Sequence, residues 1–360
     1  VLKKPRNMNY RFLIYISYTY AFPIGEPLEK EIKKRGYEVK WFADEPETQK
    51  KFSSDKAVLK DIQEAIAYNP HIILSITDSI ADFIPGIKVQ IFHGFLANKH
   101  SFKKGHFRIR GFFDLYCTQG PSTTKPFKKL QKKHKHFEVI ETGWSKVDPL
   151  FPIEKNSTKK PVILISSTFS PKYSLTYLEE VINEIKRLSK IGKWQFKVVL
   201  HPKLAQDKIE IFKAMQNENL TYYDTTDIIP LFKQADIMFS DTTSAITEFI
   251  LQKKPVVTFK NNKPGEHLID ITEVNEIEHA LSKALARPQF IMEAIQNYID
   301  VTHPYYDGNS SQRVINSCID FFNSDRSYLK KKPLNLIRKL KVRKKLGFYP
   351  LRSYSKASKN

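Results

Sequence analysis

The chain has 360 residues, 41% hydrophobic and 12% aromatic, which excludes a mainly disordered protein and leaves room for two domains with separate cores. Two cysteines, Cys117 and Cys318, cannot make a disulfide framework, so a reducing compartment is expected. A formal net charge of +21 calls for anionic partners.

Lys3, Lys4 and Arg6 precede an apolar, tyrosine-rich stretch, 12–24, that imitates a signal peptide. No small-residue cleavage site follows, and the pattern runs on into a βαβ unit, so the stretch reads as a first strand over 11–18. Pro23 and Gly25 make the turn, a helix over 26–35 stops at Gly36, and a second strand covers 37–42. This is the opening of a Rossmann-like half, without the G-x-G-x-x-G of a dinucleotide site. A helix is predicted over 54–68 with Ser54 as its cap, then strands over 71–76 and 88–92, the latter ending at His93-Gly94. Strands over 114–118 and 137–140 follow, and the second runs into Thr142-Gly143.

The polar run 154–160 is the expected linker between domains at 1–153 and 161–302. Beyond it, strands at 162–166, 196–200 and near 221–223 alternate with helices over 175–190, 208–215 and 227–234. A short strand, 237–239, then enters the turn Ser240-Asp241-Thr242-Thr243-Ser244, which leads to a helix over 243–252 and a strand over 256–259. Helices over 273–286 and 289–299 come next, and a final helical segment, 303–324, is a candidate for crossing back to the first domain. Repeated β–α alternation implies parallel sheets covered on both faces.

Hydroxyl and Asp side chains at a helix start satisfy the first-turn N–H groups, and that positive end can also hold a phosphate. An ordinary N-cap explains the spacing of 240–244 equally well. Glu248, four residues after Ser244, shares its side of the helix and could reach a ligand's sugar. His93, beside a glycine that permits close approach, suits a general base. His201-Pro202 ends another strand, and Lys203 beside it adds charge.

Ser240-Asp-Thr-Thr-Ser-Ala-Ile-Thr-Glu248, followed by Lys254-Pro255-Val-Val-Thr-Phe, resembles the signature of the CDP-glycerol glycerophosphotransferases, the teichoic-acid-type primases and polymerases of the GT-B superfamily. Other pieces agree in order: His93-Gly94, Thr142-Gly143 with Asp148, the strand at 162–168, His201-Pro202, and Asp307-Gly308 with Arg313. Together they cover roughly 85–315, with Thr242 where the family usually has Tyr and Phe95 where it prefers Thr.

The resemblance implies an α/β, GT-B-like fold of two Rossmann-like domains whose parallel sheets face across a cleft. It implies transfer of glycerol phosphate, or a similar polyol phosphate, from a CDP-linked donor to a hydroxyl of a lipid-linked or polymeric cell-envelope acceptor, releasing CMP. His93 and His201 would be catalytic. Ser240, Asp241, Thr242, Thr243, Ser244, Glu248, Lys203 and Arg313 would bind the donor, with Gly94 and Gly143 on the acceptor side. No residue cluster has metal-ligand spacing, which implies no firm cofactor and leaves a loosely held Mg²⁺ open. The alternatives are a GT-B glycosyltransferase using a nucleotide sugar, with an epimerase-like enzyme as a more distant version, and a non-enzymatic basic module.

From 324 onward the chain carries 13 cations against one acid, interspersed with Leu334, Leu336, Ile337, Leu340, Val342, Phe348 and Tyr349. That composition over 325–360 suits an anionic membrane surface better than a solvated tail, and no nucleic-acid module accompanies it. No apolar run reaches 18 residues, so a cytoplasmic protein held at the inner face of the membrane is expected.

Overall fold

The computed structural model describes residues 8–95, 105, 107–154 and 158–350. The leading cations at 3–6, part of the expected linker and the tail beyond 350 lie outside the described residues. The chain divides into two compact units, one made of 1–148 with 302–360 and the other of 149–301. The change of unit therefore falls at Asp148–Pro149, ahead of the polar run at 154–160.

In the first unit the order is β1 (Arg11–Ile16), α1 (Phe22–Lys34), β2 (Glu38–Ala43), α2 (Pro46–Gln49), α3 (Ile62–Ala67), β3 (Ile72–Ser75), β4 (Ile87–Ile91), β5 (Leu115–Thr118), α4 (Pro121–His134) and β6 (Glu138–Glu141). The strands form one parallel sheet in the order β2-β1-β3-β4-β5-β6. β3, β4 and β5 are buried at every position, as strands covered on both faces must be.

The predicted helix at 54–68 begins only at Ile62. Asp61, not Ser54, caps it by accepting from Glu64 N at 2.9 Å. The preceding residues instead pair with β2, Trp41 N donating to Ala57 O and Leu59 N to Trp41 O. α4 was not expected: its lysines and its two prolines, Pro121 and Pro126, obscure the helical period.

The second unit runs β7 (Val162–Ser167), α5 (Glu179–Ile191), β8 (Gln195–Leu200), α6 (Gln206–Ala214), β9 (Leu220–Tyr222), α7 (Ile229–Gln234), β10 (Ile237–Ser240), α8 (Ala245–Ile250), β11 (Val256–Phe259), β12 (Ile269–Ile271), α9 (Ile277–Leu285) and α10 (Gln289–Thr302). Its parallel sheet has the order β12-β11-β10-β7-β8-β9. α10 returns the chain to the first unit at Thr302. There α11 (Ser310–Asn323) packs on α1 and β5, with Arg35 Nη1 donating to Asn316 Oδ1 at 2.7 Å.

The basic segment after α11 is docked on the first unit. α12 (Leu336–Lys345) and the turn beyond it bury Val342, Arg343 and Phe348. Phe348 stacks on Phe83 at 4.1 Å between ring centroids. Several cations meet acids of the unit: Lys332 lies 2.7 Å from Asp114, Lys345 3.0 Å from Asp44, and Arg343 3.7 Å from Asp82. Leu334, Leu336, Ile337, Leu340 and Tyr349 remain exposed. Phe348→Ala is expected to destabilise the first unit by about 3–5 kcal/mol through the cavity it leaves, measured by denaturant unfolding. Loss of stability below about 1 kcal/mol would mean that the segment is not docked in solution.

Candidate active site

Each sheet reverses its winding at one place, and ligands of such sheets bind there, outside the carboxyl ends of the strands. In the first unit β2 lies on one side of β1 and β3 to β6 run out on the other. His93 follows β4 near this point. Its Nδ1 is 3.8 Å from Asp78 Oδ1, on the turn after β3, and Arg110 Nη2 holds the same carboxylate at 2.8 Å. The ring of Tyr20, just after β1, has its centroid 5.8 Å from the imidazole. Burial lowers the pKa of His93, against the pull of Asp78 and with the help of Arg110. At neutral pH the ring is thus an uncharged base with a carboxylate placed to stabilise the imidazolium that forms when it takes a proton.

The loop carrying His93 is braced from behind. Trp144 Nε1 donates to Phe92 O at 2.8 Å, and Gln119 Nε2 donates to Gly94 O at 2.9 Å. Phe95 packs edge-on against Trp144 at 5.0 Å. His303 Nε2 accepts from Trp144 N at 3.0 Å. Gly143 has φ +81°, and a Cβ there would run into Ser310 Oγ and, at 3.0 Å, His303 Nε2. Asp148 accepts from Ser310 N at 2.9 Å, Ser311 N at 2.7 Å and Ser311 Oγ at 2.7 Å, capping α11.

Gly143 admits the brace. Arg313 lies in the first unit: its Nε donates to Thr142 O at 2.8 Å, its Nη1 to Asp307 Oδ2 at 2.7 Å, and its guanidinium sits 4.0 Å above the Tyr305 ring. Those contacts tie its guanidinium into the brace.

His303 also fixes a pH response. Burial holds its pKa down at about 4, so the folded chain keeps the ring neutral where the unfolded chain would protonate it. Stability is therefore present above pH ~6.5 and is lost as pH falls through about 4, by roughly 3 kcal/mol. His303→Leu is expected to flatten that part of the stability–pH curve. An unchanged acid slope by urea unfolding at pH 7 and pH 4.5 would refute it.

In the second unit the winding reverses between β7 and β10. Asp241, fully buried at the end of β10, spans that crevice. It accepts from Ser167 Oγ, from Thr168 N at 2.9 Å, Leu175 N at 3.0 Å and Thr242 N at 2.6 Å. Burial raises its pKa while those four donors pull it down. Ser240 Oγ donates to Ser166 O at 2.5 Å. Both side chains are thus spent on the loops.

Outward-facing groups begin at Thr242. Thr242 Oγ1 accepts from Asn262 N at 3.1 Å, and Asn261 Nδ2 donates to Asp241 O at 2.7 Å, so the loop after β11 is tied to the turn. Thr243 is half-buried and Ser244 exposed. The helix that follows is shorter than predicted, six residues from Ala245, which limits its dipole. Glu248 is only 4% exposed, so it is not displayed beside Ser244 as the spacing suggested.

Two strands from β10, His201 follows β8. Its Nδ1 accepts from Lys203 N at 3.0 Å, which puts the proton of the neutral ring on Nε2. Phe169 lies 4.5 Å from this imidazole and Lys203 Nζ 6.0 Å from the Phe169 ring. Among the described residues no group of three or more His, Cys, Asp and Glu is placed to hold a metal.

Sequence reasoning missed Asp78, Arg110, Tyr20 and His303 as parts of the first site, and Asn261 of the second. The only local signal for Asp78 was a polar Thr77-Asp78-Ser79 run directly after an apolar strand.

No protein-family model and no curated protein matches the chain. Among solved structures it is similar to a histidine-to-alanine variant of the wall teichoic acid polymerase TagF, with TM-score 0.63 and 13% identity over 88% of this chain and 90% of that one. A TagF variant soaked with CDPG gives TM-score 0.62 and 14% identity over 89% and 90%. The UDP-GlcNAc 2-epimerase of Neisseria meningitidis, bound to UDP-GlcNAc, gives TM-score 0.59 and 14% identity over 86% and 100%. At such identities the likeness is one of fold: two Rossmann-like units, GT-B-like.

Proposed function

We propose that the chain is a transferase that moves glycerol phosphate, or a similar polyol phosphate, from a CDP-linked donor to an acceptor hydroxyl. The observation that carries this reading is where the family-like residues fall. His93, His201 and the turn at 240–244 all leave the carboxyl ends of parallel strands, the first beside the carboxylate of Asp78.

His93 would take the proton of the acceptor hydroxyl as its oxygen attacks the donor's distal phosphorus. The bond from that phosphorus to the bridging oxygen breaks, and CMP departs with its electrons. His201 Nε2–H, Lys203 and the hydroxyls and amides at Thr243–Ser244 would stabilise the charge on the phosphates. A loosely held Mg²⁺ would add to that neutralisation, and no step depends on it. The acceptor would be lipid-linked or polymeric. The exposed Leu336, Ile337 and Leu340 among the cations of α12 suit the anionic inner face of a membrane. No described helix is long and apolar enough to cross a membrane.

The test is CMP release on mixing the protein with CDP-glycerol and a lipid-linked acceptor, run beside UDP-GlcNAc. Release of CMP supports the reading. Turnover of UDP-GlcNAc alone would favour a glycosyltransferase or epimerase on the same fold.

A further inference from the structure

The basic segment grips both partners of the ion pair beside His93. The connection 76–86 from β3 to β4 carries no helix, and α12 covers the aromatic cluster to which it contributes, with Val342 and Phe348 packed among Phe83, Phe112 and Phe113. Lys339 and Arg343 approach Asp82, four residues beyond Asp78 on that connection, at 3.6 and 3.7 Å. Ahead of α12 the chain clamps the stretch 110–114. Lys332 Nζ donates to Phe112 O at 2.8 Å, and Asn335 Nδ2 donates to Arg110 O at 2.6 Å. Between them Pro333 lies so close that a Cβ on Gly111 would come within 2.6 Å of its Cγ.

Asn335 suits this contact by its backbone and by its amide. Its φ of +53° lies in the left-handed region, which Asn tolerates better than most residues with a side chain. Its Oδ1 accepts from Arg338 Nη1 at 2.9 Å, which orients Nδ2 toward the Arg110 carbonyl. The residue so held has its guanidinium 2.8 Å from Asp78, and Asp78 is 3.8 Å from His93 Nδ1. Pinning the backbone of Arg110 reduces the freedom its side chain must lose to stay on the carboxylate.

We propose that Asn335 is a positioning residue for His93: by holding the backbone of Arg110 it keeps the guanidinium on Asp78, and so fixes how much of the carboxylate's charge the imidazole meets. The proposal rests on the transfer reading for what His93 does, but the coupling itself needs no turnover. Among the described residues the charged groups facing His93 are Asp78 and Arg110. Burial pushes the neighbouring Tyr20 phenol up to about 12, so it stays neutral. Burial lowers the pKa of His93; Arg110 adds to that effect and Asp78 opposes it. A loosened Arg110 withdraws its own repulsion and gives up its hold on Asp78, and both changes favour the protonated ring.

His93 can be followed directly by NMR titration of the full-length protein labelled at histidine Cε1, its signal identified by its loss in His93→Ala. Asn335→Gly removes the amide and keeps the left-handed backbone without strain. It should move the His93 midpoint toward neutral pH, in the same direction as Arg110→Gln and by at least half of that shift. In an Arg110→Gln background Asn335→Gly should add nothing, the mark of two residues acting along one path. An unchanged midpoint in Asn335→Gly, whatever its melting temperature, overturns the proposal and leaves the segment a cover for the sheet. A shift that persists in the Arg110→Gln background overturns it as well, since the effect would then bypass Arg110. A midpoint that moves as expected, in a protein that releases no CMP from CDP-glycerol, would keep the positioning role and remove the transfer reading. CMP release with an unmoved midpoint would do the reverse.

Discussion

His93→Ala is expected to lower CMP release from CDP-glycerol by roughly 10²- to 10⁴-fold, the usual contribution of a positioned general base, while leaving the melting temperature nearly unchanged. The pH dependence carries more information than the loss itself. Because burial holds the imidazole below its ordinary pKa, the acid limb of kcat/KM should lie on the acid side of pH ~6.5. Asp78 favours the protonated ring and Arg110 opposes it. Asp78→Asn should therefore move the limb further to acid pH and lower the plateau, and Arg110→Gln should move it toward neutral. A limb that stays put in both variants would show that His93 is not the titrating base.

Asp241→Ala should have the largest effect on stability. It strips the shared acceptor from Ser167 Oγ and from the amides of Thr168, Leu175 and Thr242. An unsatisfied buried donor costs about 1–3 kcal/mol, and relaxation or water will repair some of the four. A net loss of at least ~3 kcal/mol follows, a drop of roughly 6–12 °C in the melting temperature of the second unit. Asp241→Asn keeps the shape and one acceptor oxygen, and should lose about half as much. A melt within about 2 °C of wild type for the Ala variant, roughly the effect of a surface change, would mean that the carboxylate does not hold these loops. On the proposed function, donor binding should weaken in both variants, because this anchor sets the turn at 242–244.

Much of the fold was legible because parallel strands covered on both faces read as short, unbroken apolar runs. Ile72–Ser75, Val162–Ser167 and Val256–Phe259 are of that kind, each ending in a polar turn. β12 escaped notice because it is three residues long, and α4 because basic and proline residues interrupt its pattern. Of the candidate site, only residues at strand ends could be picked out from the sequence. His93 and His201 stand out as lone imidazoles after apolar strands, whereas Asp78 and Tyr20 gain meaning only when β1, β3 and β4 lie side by side. The inward turn of Ser240 and Asp241 was equally hidden, since their partners Ser166, Thr168 and Leu175 are more than 60 residues away in sequence. The basic segment misled in another way. Val342 and Phe348 looked like the apolar side of a free amphipathic tail, but a packed helix needs the same pattern.

The first unit is discontinuous, with α11 and α12 supplied from beyond residue 302, whereas 149–301 is an unbroken stretch. During synthesis, then, the later half can close on itself while the earlier half still lacks the helices that cover β5, α1 and Phe83. Nascent chains stopped near residue 300 should contain a protease-resistant later half and an earlier half that chaperones must shield until the ribosome has delivered the rest.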